Sequence, residues 1–483
     1  MEASQNAGLF CAVDRFKQSP IGKRLVAFLM GIGYPIVVAA LVAVGHIFSV
    51  DFFTNILNFV LISLALVLCD TLKPAFMFAI SFIYQISVKY APGVPTFSDY
   101  YYTGWRLPVL CVLVLMLAFG IFYFLFANRC FEGFGFKTVP MLLPICALSV
   151  AFLLNGAFSG VWILSDFLHG VLQVLIFGVL FLLFYLGLRR ERGDELVSRF
   201  IFVSMLLAIV LILDVVNVYI TRDVIVDGEA VKDKIFFGWG IWNTVGASLA
   251  VLIPVCFLGV MRSKWSALYF VVATLSFLAI CMSLSRNALL FGGLAYALCA
   301  VASCFIGLYK KVYRIIVIFG ALAVIAFGIL FWDKIAELLS DFLERGFSDN
   351  GRYELWKTGI ENFLKAPVFG SGFFEFVSDT FVSATFFPKL AHNTIIQLLS
   401  SMGVFGLLAY SYYRASSFVP FIKLPTVEKS MLLGSIIVVL LMSLFDNLIL
   451  RFLHVVHYDI ALAIGFIIYE QQCKKESESL TLV

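Results

Sequence analysis

The sequence predicts an all-α membrane protein, a polytopic bundle of about 12 to 14 transmembrane helices with one large extracytoplasmic loop that contains amphipathic helices. Hydrophobic residues make up 62% of the chain and charged residues only 13%, a balance that water-soluble domains do not reach. Apolar runs of about 20 residues, the length that crosses a bilayer, recur along the chain. Basic residues collect in alternate loops between them, which is the pattern that orients membrane proteins.

The apolar runs define the predicted spans in chain order. The first seven cover residues 25–47, 52–69, 74–88, 107–127, 139–160, 168–188 and 198–220. The next seven cover residues 240–260, 265–284, 287–308, 312–332, 394–413, 431–450 and 456–470. The short run 74–88 has a second interpretation, a re-entrant segment, which would change the count. No cleavable signal peptide precedes the first run, so we expect that run to remain in the membrane.

The distribution of charge sets the predicted orientation. Most of the 34 lysines and arginines fall in loops on the side of the amino terminus, and basic loops stay in the cytoplasm. The ten cysteines lie in spans or on this cytoplasmic side, so we expect no structural disulfide. The net charge of +4 is spread over the topology signals and does not indicate a nucleic-acid partner. In or beside outer segments lie all five histidines: His46, His169, His392, His454 and His457.

The outer loop at 333–391 divides the chain into three predicted parts. These are an amino-terminal bundle at 1–332, the loop itself, and carboxy-terminal helices with a short cytoplasmic tail at 392–483. Loops of this length inside compact folds are usually functional or disordered. Helical spacing of apolar residues predicts an ordered surface helix at the start of the loop: Ile335, Leu338, Leu339, Phe342 and Leu343.

A second loop helix is predicted between a start signal at 348–351 and a stop at Ala366-Pro367. After it, Gly370 and Gly372 bracket a tight turn. Amphipathic helices that place Trp and Tyr beside the bilayer are typical of a lid over a lipid-facing cavity. The alternative is a plain interfacial loop. The apolar stripe of this second helix consists of Tyr353, Trp356, Ile360 and Phe363.

His392 and Asn393 open the next span, with Gly403 and Gly406 behind them. An ionisable imidazole where water meets the bilayer indicates chemistry on a membrane-borne substrate. The alternative is a structural histidine at the start of a helix. The two glycines have the spacing that lets another helix approach closely.

Three arginines are predicted at the outer surface. Arg286 lies in a polar turn between two spans, Arg222 emerges at the end of another span, and Arg352 begins the second loop helix. Arginine suits bidentate recognition of phosphate, so guanidinium groups at headgroup depth fit a lipid-linked pyrophosphate. The alternative for each is an arginine that anchors its helix at the membrane surface.

Three motifs in the second half of the chain resemble the O-antigen ligase and O-antigen polymerase superfamily. They are SLSRNALL, NGRYELWKTGIENFLKAPVFGSGF and HNTIIQLLSSMGVFG, between about residues 280 and 410. The most specific part is the pair His392-Asn393 followed by Gly403 and Gly406. Members of this superfamily are bacterial membrane glycosyltransferases that use undecaprenyl-pyrophosphate-linked glycans. The chain departs from the usual pattern in having about two extra spans before the motifs, which bears on the match of Arg222.

The resemblance implies a role for each matching residue. His392 corresponds to the essential loop histidine, a general base or an acceptor-positioning group, and Arg286 to the arginine that binds the donor pyrophosphate. Arg222 corresponds to a second such arginine. The implied location is the bacterial inner membrane, with the site facing the periplasm, as expected for lipopolysaccharide biosynthesis. The implied partners are the lipid-linked donor, a glycan or lipid-linked acceptor, and the bilayer.

The residue chemistry agrees with this interpretation. Cations can receive the charge that develops on a pyrophosphate leaving group, and an imidazole can remove a proton from an acceptor hydroxyl. Backside attack would invert the anomeric centre. We expect a metal-independent enzyme without a cofactor, because the outer acidic residues, Asp446 among them, are scattered and not clustered. Asp446 is expected to orient a cationic group or to end its helix.

Two other classes of protein have the same hydropathy. A transporter or flippase of lipid-linked glycans would place ionisable residues near the bilayer midplane, where only Asp214 is expected in this chain. A scaffold protein would leave the arginines and His392 without a role. The sequence leaves open whether the enzyme is a ligase or a polymerase, since both use the same donor.

Overall fold

The computed structural model confirms an all-α polytopic bundle. It describes residues 11–85, 104–160, 162–226, 229–237, 239–330, 332, 352–374, 391–423, 426–445 and 452–481. The predicted first loop helix at 333–347 and Asp446 lie outside these residues.

A helix lies at each of the predicted spans. The first nine helices are α1 (Pro20–Met30), α2 (Gly33–Ile47), α3 (Asp51–Leu68), α4 (Ala75–Gln85), α5 (Arg106–Ala127), α6 (Leu142–Leu153), α7 (Leu164–Val174), α8 (Leu180–Leu188) and α9 (Gly193–Thr221). The helices that follow are α10 (Trp242–Arg262), α11 (Ser266–Met282), α12 (Arg286–Ser303), α13 (Lys310–Leu330), α14 (Arg352–Lys365), α15 (Thr394–Ser417), α16 (Val419–Lys423), α17 (Thr426–Met442) and α18 (Phe452–Thr481).

Not every predicted span is one long helix. Within the described ranges, seven helices are long and apolar enough to cross a membrane, or eight if the bent pair α1 and α2 forms one span. That pair corresponds to the predicted run 25–47 and bends by 67°, where Gly31 ends α1 in an extended conformation. A π-helical turn at Leu175–Val179 joins α7 to α8 into one long span. Helix α4 is short, as a re-entrant segment would be.

Helix α10 is the centre of the bundle. Every residue from Thr244 to Met261 is buried, because α9, α11, α12 and α17 surround it. A helix that is apolar all round must be enclosed by other helices or by lipid. The Ser435 hydroxyl of α17 donates to the Val251 carbonyl of α10 at 2.7 Å, which fixes the register of these two helices.

The two ends of the bundle carry different residues. At one end, Tyr219 of α9 donates to the Met282 carbonyl of α11 at 2.7 Å, so α9 and α11 finish together, close to Arg222 and Arg286. The helix start that follows His392 lies at the same end, next to the start of α12, and we call it the His392 end. The opposite end, which we call the basic end, carries Arg189–Arg192 and Arg262, the latter paired with Glu428 at 2.9 Å.

Two small hairpins follow α9 at the His392 end. Strand β1 (Ile225–Val226) pairs with β2 (Glu229–Ala230), and β3 (Phe236–Phe237) pairs with β4 (Gly240–Ile241), both antiparallel. A short 3-10 turn at Lys232–Lys234 separates the hairpins. Such short ladders are marginal by themselves and need support from the helices beneath them.

The structure corrects the predicted placement of the carboxy-terminal histidines. His454 and His457 were expected in or beside outer segments, but both are buried in the first turns of α18, as is Asp459. The Nε2 atom of His457 lies 3.2 Å from the hydroxyl of Ser204, a residue in the middle of α9. The hydropathy of the run 456–470 does not show which neighbours enclose its polar positions, so the sequence placed them at the surface.

Candidate functional site

Two predicted site residues begin helices that meet at one place. Helix α12 begins at Arg286, and helix α15 begins at Thr394 with Asn393 as its N-cap. Both beginnings contact the end of α17, whose last carbonyls have no partner within their own helix. The bonds are Asn287 Nδ2 to the Met442 carbonyl (3.2 Å), Thr394 N to the Ser443 carbonyl (3.0 Å) and Asn393 Nδ2 to the Leu444 carbonyl (3.0 Å). The end of α17 therefore brings Arg286 and His392 together.

The backbone of His392 is strained and held from both sides. Its φ is +53°, a left-handed conformation that costs a non-glycine residue about 1–2 kcal/mol. The preceding residue, Ala391, donates its N–H to Gln397 Oε1 at 2.7 Å and accepts from Trp356 Nε1 at 2.9 Å. Such strain persists only where the surroundings determine the conformation, and it clusters at functional sites.

The same place contains buried polar atoms that lack a hydrogen-bond partner. Among the described residues, the unpartnered atoms include the hydroxyls of Ser285 and Thr394 and the Oδ1 atom of Asn287. All three belong to the first turn or the N-cap of α12 or α15. A helix N-terminus also carries backbone N–H groups and a partial positive charge that favour an anion. The Ser285 and Thr394 hydroxyls, the N–H groups and the Arg286 guanidinium could therefore donate to an anionic group such as a phosphate, whereas Asn287 Oδ1 can only accept, from a hydroxyl for example.

Arg222 is held by the second hairpin. Its Nη1 donates to the Phe236 carbonyl at 2.7 Å, and its guanidinium carbon lies 3.7 Å from the centre of the Phe236 ring. Burial lowers the pKa of Arg222, although a guanidinium stays charged at neutral pH. A guanidinium has five N–H donors and this bond uses one, so Arg222 can still contact an anion from this fixed position.

The second loop helix is confirmed as α14, but its buried face differs from the predicted stripe. Trp356 contacts Ala391, whereas Tyr353 and Ile360 are 64% and 50% exposed. The buried residues are Gly359 and Asn362. Helix α14 packs against α15, and a glycine lets the two backbones come closer than an apolar stripe would. Arg352 precedes Trp356 by one turn and therefore lies on the same side of α14.

The predicted glycines lie where a chain segment pairs with a broken helix. Helix α15 is interrupted at Gly403, which has φ +65° and ψ −162°. The interruption frees backbone groups that the segment 367–372 satisfies. The bonds are Ser371 N to the Ser400 carbonyl (2.7 Å), Gly372 N to Ser401 (3.2 Å), Val404 N to Pro367 (2.9 Å) and Phe405 N to Val368 (3.1 Å). The neighbour that approaches Gly403 is thus a turn segment, not the helix that the sequence predicted. A side chain on Gly406 would meet Met402 of the same helix.

Gly370 and Gly372 adopt positive φ values of +71° and +94° in that segment. A Cβ atom on Gly372 would come within 2.6 Å of Asp166 Oδ1. That same carboxylate oxygen accepts the Phe374 N–H at 3.1 Å. Asp166 therefore ties the segment after α14 to the start of α7, a connection that no sequence pattern indicated.

A second group of polar residues lies inside the bundle, away from this site. The Arg414 guanidinium is 7% exposed and is surrounded by the rings of Phe177, Tyr410, Tyr413 and Tyr458. The hydroxyl of Tyr413 donates to Asp459 at 3.5 Å. Besides Asp214, the bundle therefore encloses a second group of ionisable side chains. Polar residues recur every few positions in α15 and α18, and this pattern is the sequence signal that could have indicated the buried group around Arg414.

The basic end has a cavity of about 710 Å³. It lies between the α8–α9 turn and the last turns of α18, lined by Arg190, Arg262 and Lys474 among others. Its acidic residues are largely engaged in ion pairs, for example Asp194 with Arg192 at 2.8 Å. This cavity is remote from Arg286 and His392. Within the described ranges, no cluster of three or more His, Cys, Asp or Glu side chains could hold a metal ion.

Comparison with known protein families tests the predicted resemblance. The family model described as O-antigen ligase matches residues 271–411, which confirms the resemblance to the O-antigen ligase superfamily. The matched stretch includes Arg286, Arg352 and His392 but ends before α17, and Arg222 precedes it. No curated protein sequence matches the chain.

Proposed function

We propose, from the O-antigen ligase match and the geometry at the His392 end, that this protein is a membrane glycosyltransferase. It would move a glycan from an undecaprenyl-pyrophosphate carrier to an acceptor hydroxyl. The observation that carries the proposal is that the end of α17 holds the helix starts next to Arg286 and His392 at one place, with unpartnered buried hydroxyls at these two helix N-termini.

In this proposal, Arg286 binds the donor pyrophosphate, supported by Arg222 and Arg352. The leaving group gains negative charge as the bond to the sugar breaks, and a fixed guanidinium and helix N-termini stabilise that charge without reorganisation. Asn287 fixes the first turn of α12 against Met442 at 3.2 Å. The guanidinium of Arg286 therefore projects from an immobilised turn.

His392 would orient the acceptor hydroxyl and remove its proton. General-base catalysis needs the imidazole in one position relative to the hydroxyl. Asn393 and Gln397 hold the backbone on either side of His392, while Trp356 fixes the loop above. We expect attack from the face opposite the pyrophosphate, inversion at the anomeric carbon, and no metal ion, with Asp446 as an orienting group.

The chain would lie in the bacterial inner membrane, with the His392 end toward the periplasm, as expected for an enzyme of lipopolysaccharide biosynthesis. The basic end, with Arg189 and Arg190, would face the cytoplasm. The three predicted parts would then form two helical bundles and a lid, of which the described helix α14 contacts the residue before His392 through Trp356. Whether the enzyme acts as a ligase or as a polymerase depends on the acceptor.

A transfer assay tests this proposal. Purified protein in detergent is incubated with a polyprenyl-pyrophosphate oligosaccharide, with and without a lipid A core or a second lipid-linked glycan. Formation of a longer glycan supports the proposal, and the acceptor that is used distinguishes ligase from polymerase. Intact donor under all conditions would contradict it.

The buried Arg414 and Asp459 favour a second candidate, a flippase of lipid-linked glycans. A flippase changes the side of the membrane on which its substrate lies and breaks no bond. Liposomes containing the protein and a fluorescent polyprenyl-pyrophosphate glycan would show the label becoming accessible to an impermeant quencher. Transfer in detergent, where there are no two sides, is possible only for the enzyme.

A further inference from the structure

A buried carboxylate lies beneath the hairpin that holds Arg222. Asp214, in the last turns of α9, is 3% exposed. Its Oδ2 atom lies 2.9 Å from Nδ1 of His46 and accepts from Nε1 of Trp239 at 3.0 Å. The other ring nitrogen of His46 lies 2.6 Å from the Tyr84 carbonyl. Because both neighbours of the imidazole are acceptors, each ring nitrogen donates, and His46 balances the charge of Asp214.

Trp239 connects the buried Asp214–His46 pair, which we call the anchor, to the hairpin of β3 and β4. Its ring stacks on Phe237 with centres 5.2 Å apart and meets Tyr84 edge-on at 4.6 Å. Phe237 pairs with Gly240 across the two strands. The neighbouring residue in β3, Phe236, supplies the carbonyl and the ring that hold Arg222. An unbroken series of contacts therefore leads from Asp214 to the guanidinium.

We infer that Asp214, His46 and Trp239 are positioning residues for Arg222, and that they set its affinity for a pyrophosphate-bearing lipid. This inference rests on the proposed function. A hairpin with two residues in each strand is not stable alone, so its order must come from the helices beneath it. Bidentate binding of phosphate requires a fixed guanidinium plane. Removing a partner from the buried carboxylate would loosen the hairpin and with it Arg222.

The sharpest variant is Trp239→Phe, which keeps an aromatic ring against Phe237 but removes the N–H that Asp214 accepts. Trp265→Phe is the matched control, because Trp265 is 65% exposed in the turn between α10 and α11. Hydrogen exchange of the full-length protein measures the order of the hairpin. We expect amides in 235–241 to exchange about 10- to 100-fold faster in Trp239→Phe, the range for a lost bond to a charged group. Trp265→Phe should leave them unchanged.

The functional readout is the donor concentration that gives half-maximal transfer. We expect it to rise about 3- to 10-fold in Trp239→Phe, while the rate at saturating donor stays within about twofold. Asp214→Asn, which keeps one acceptor oxygen, should give a smaller shift in the same direction and serves as the second variant if Trp239→Phe does not fold.

Two results would overturn the inference. Unchanged exchange in 235–241 would show that the hairpin does not depend on this anchor. Faster exchange with an unchanged donor dependence would show that the ordered hairpin does not serve donor binding. Failure of the proposed function would give a different result, namely no transfer by the unsubstituted protein. The exchange measurement would then still show whether Asp214, His46 and Trp239 order the hairpin.

Discussion

Replacing His392 by glycine should separate catalysis from stability. The residue has φ +53°, which glycine adopts without strain and alanine does not. Both replacements remove the imidazole and all of its contacts, so they differ only in the Cβ atom. We therefore expect His392→Gly to be more stable than His392→Ala by about 1 kcal/mol. Relief of the left-handed strain contributes about 1–2 kcal/mol, and the greater conformational entropy that glycine loses on folding offsets about 0.5–1 kcal/mol of it.

Transfer should fall in both variants by about 100- to 10,000-fold, the usual contribution of a general base. Donor affinity should change little, because the proposed anion-binding groups are the three guanidiniums and the first turns of α12 and α15, and the imidazole is not one of them. Transfer rate at saturating donor, donor affinity and unfolding by denaturant are measured in one detergent preparation. A His392→Gly variant that is more stable than His392→Ala but has lost transfer would show that the strained backbone at this position serves catalysis and not stability.

Arg129 provides the matched pair of controls. It has φ +48° and lies at the basic end, so Arg129→Gly and Arg129→Ala should show a similar difference in stability with normal transfer. Near-normal transfer by either His392 variant would refute the catalytic role. Loss of donor binding with an unchanged transfer rate at saturating donor would show that His392 acts in donor binding and not in the chemical step.

Three further predictions concern the donor, the broken helix and the topology. Arg286→Lys should fold normally yet lose at least about 90% of transfer, because an ammonium cannot replace a bidentate guanidinium; near-normal turnover would make Arg286 a membrane anchor. Gly403→Ala should lower the free energy of unfolding by about 2 kcal/mol or more, because a Cβ would meet the Val368 carbonyl at φ +65°. The control Gly320→Ala, with open space around the Cβ, should be neutral or stabilising in denaturant titration. Single cysteines at Ser348 and at Arg192, whose side chain is 73% exposed, should react with an impermeant reagent from opposite sides of the membrane, and labelling of both from one side would contradict the orientation.

The match to the O-antigen ligase family covers α12, α14 and α15 as far as residue 411, whereas the rest of the site lies outside it. The carbonyls of Met442, Ser443 and Leu444, which join the two helix starts, come from a helix beyond the matched stretch. Arg222 and its hairpin come from before it. Because Arg222 lies outside the matched residues, its role in donor binding has to be tested by substitution and cannot be taken from the family match.

The sequence by itself determined the fold class and the positions of the helices, and it indicated the candidate site residues. Hydropathy and periodicity are local properties, so they located α9, α10 and α14 and placed Arg286 and Asn393 at helix starts. The interval between His392 and Gly403 carried the family resemblance for the same reason, because both residues lie on one continuous stretch of chain.

Only the tertiary structure decided which of these residues meet. Asn287 and Asn393 pair with carbonyls at the end of α17 that lie 155 and 51 positions away in the chain, and Asp214 contacts His46 across 168 positions. Burial of His457 and Arg414 also depends on which helices enclose them. Hydropathy treats each helix alone, but the free energy of a buried polar group depends on the partner that a distant helix supplies.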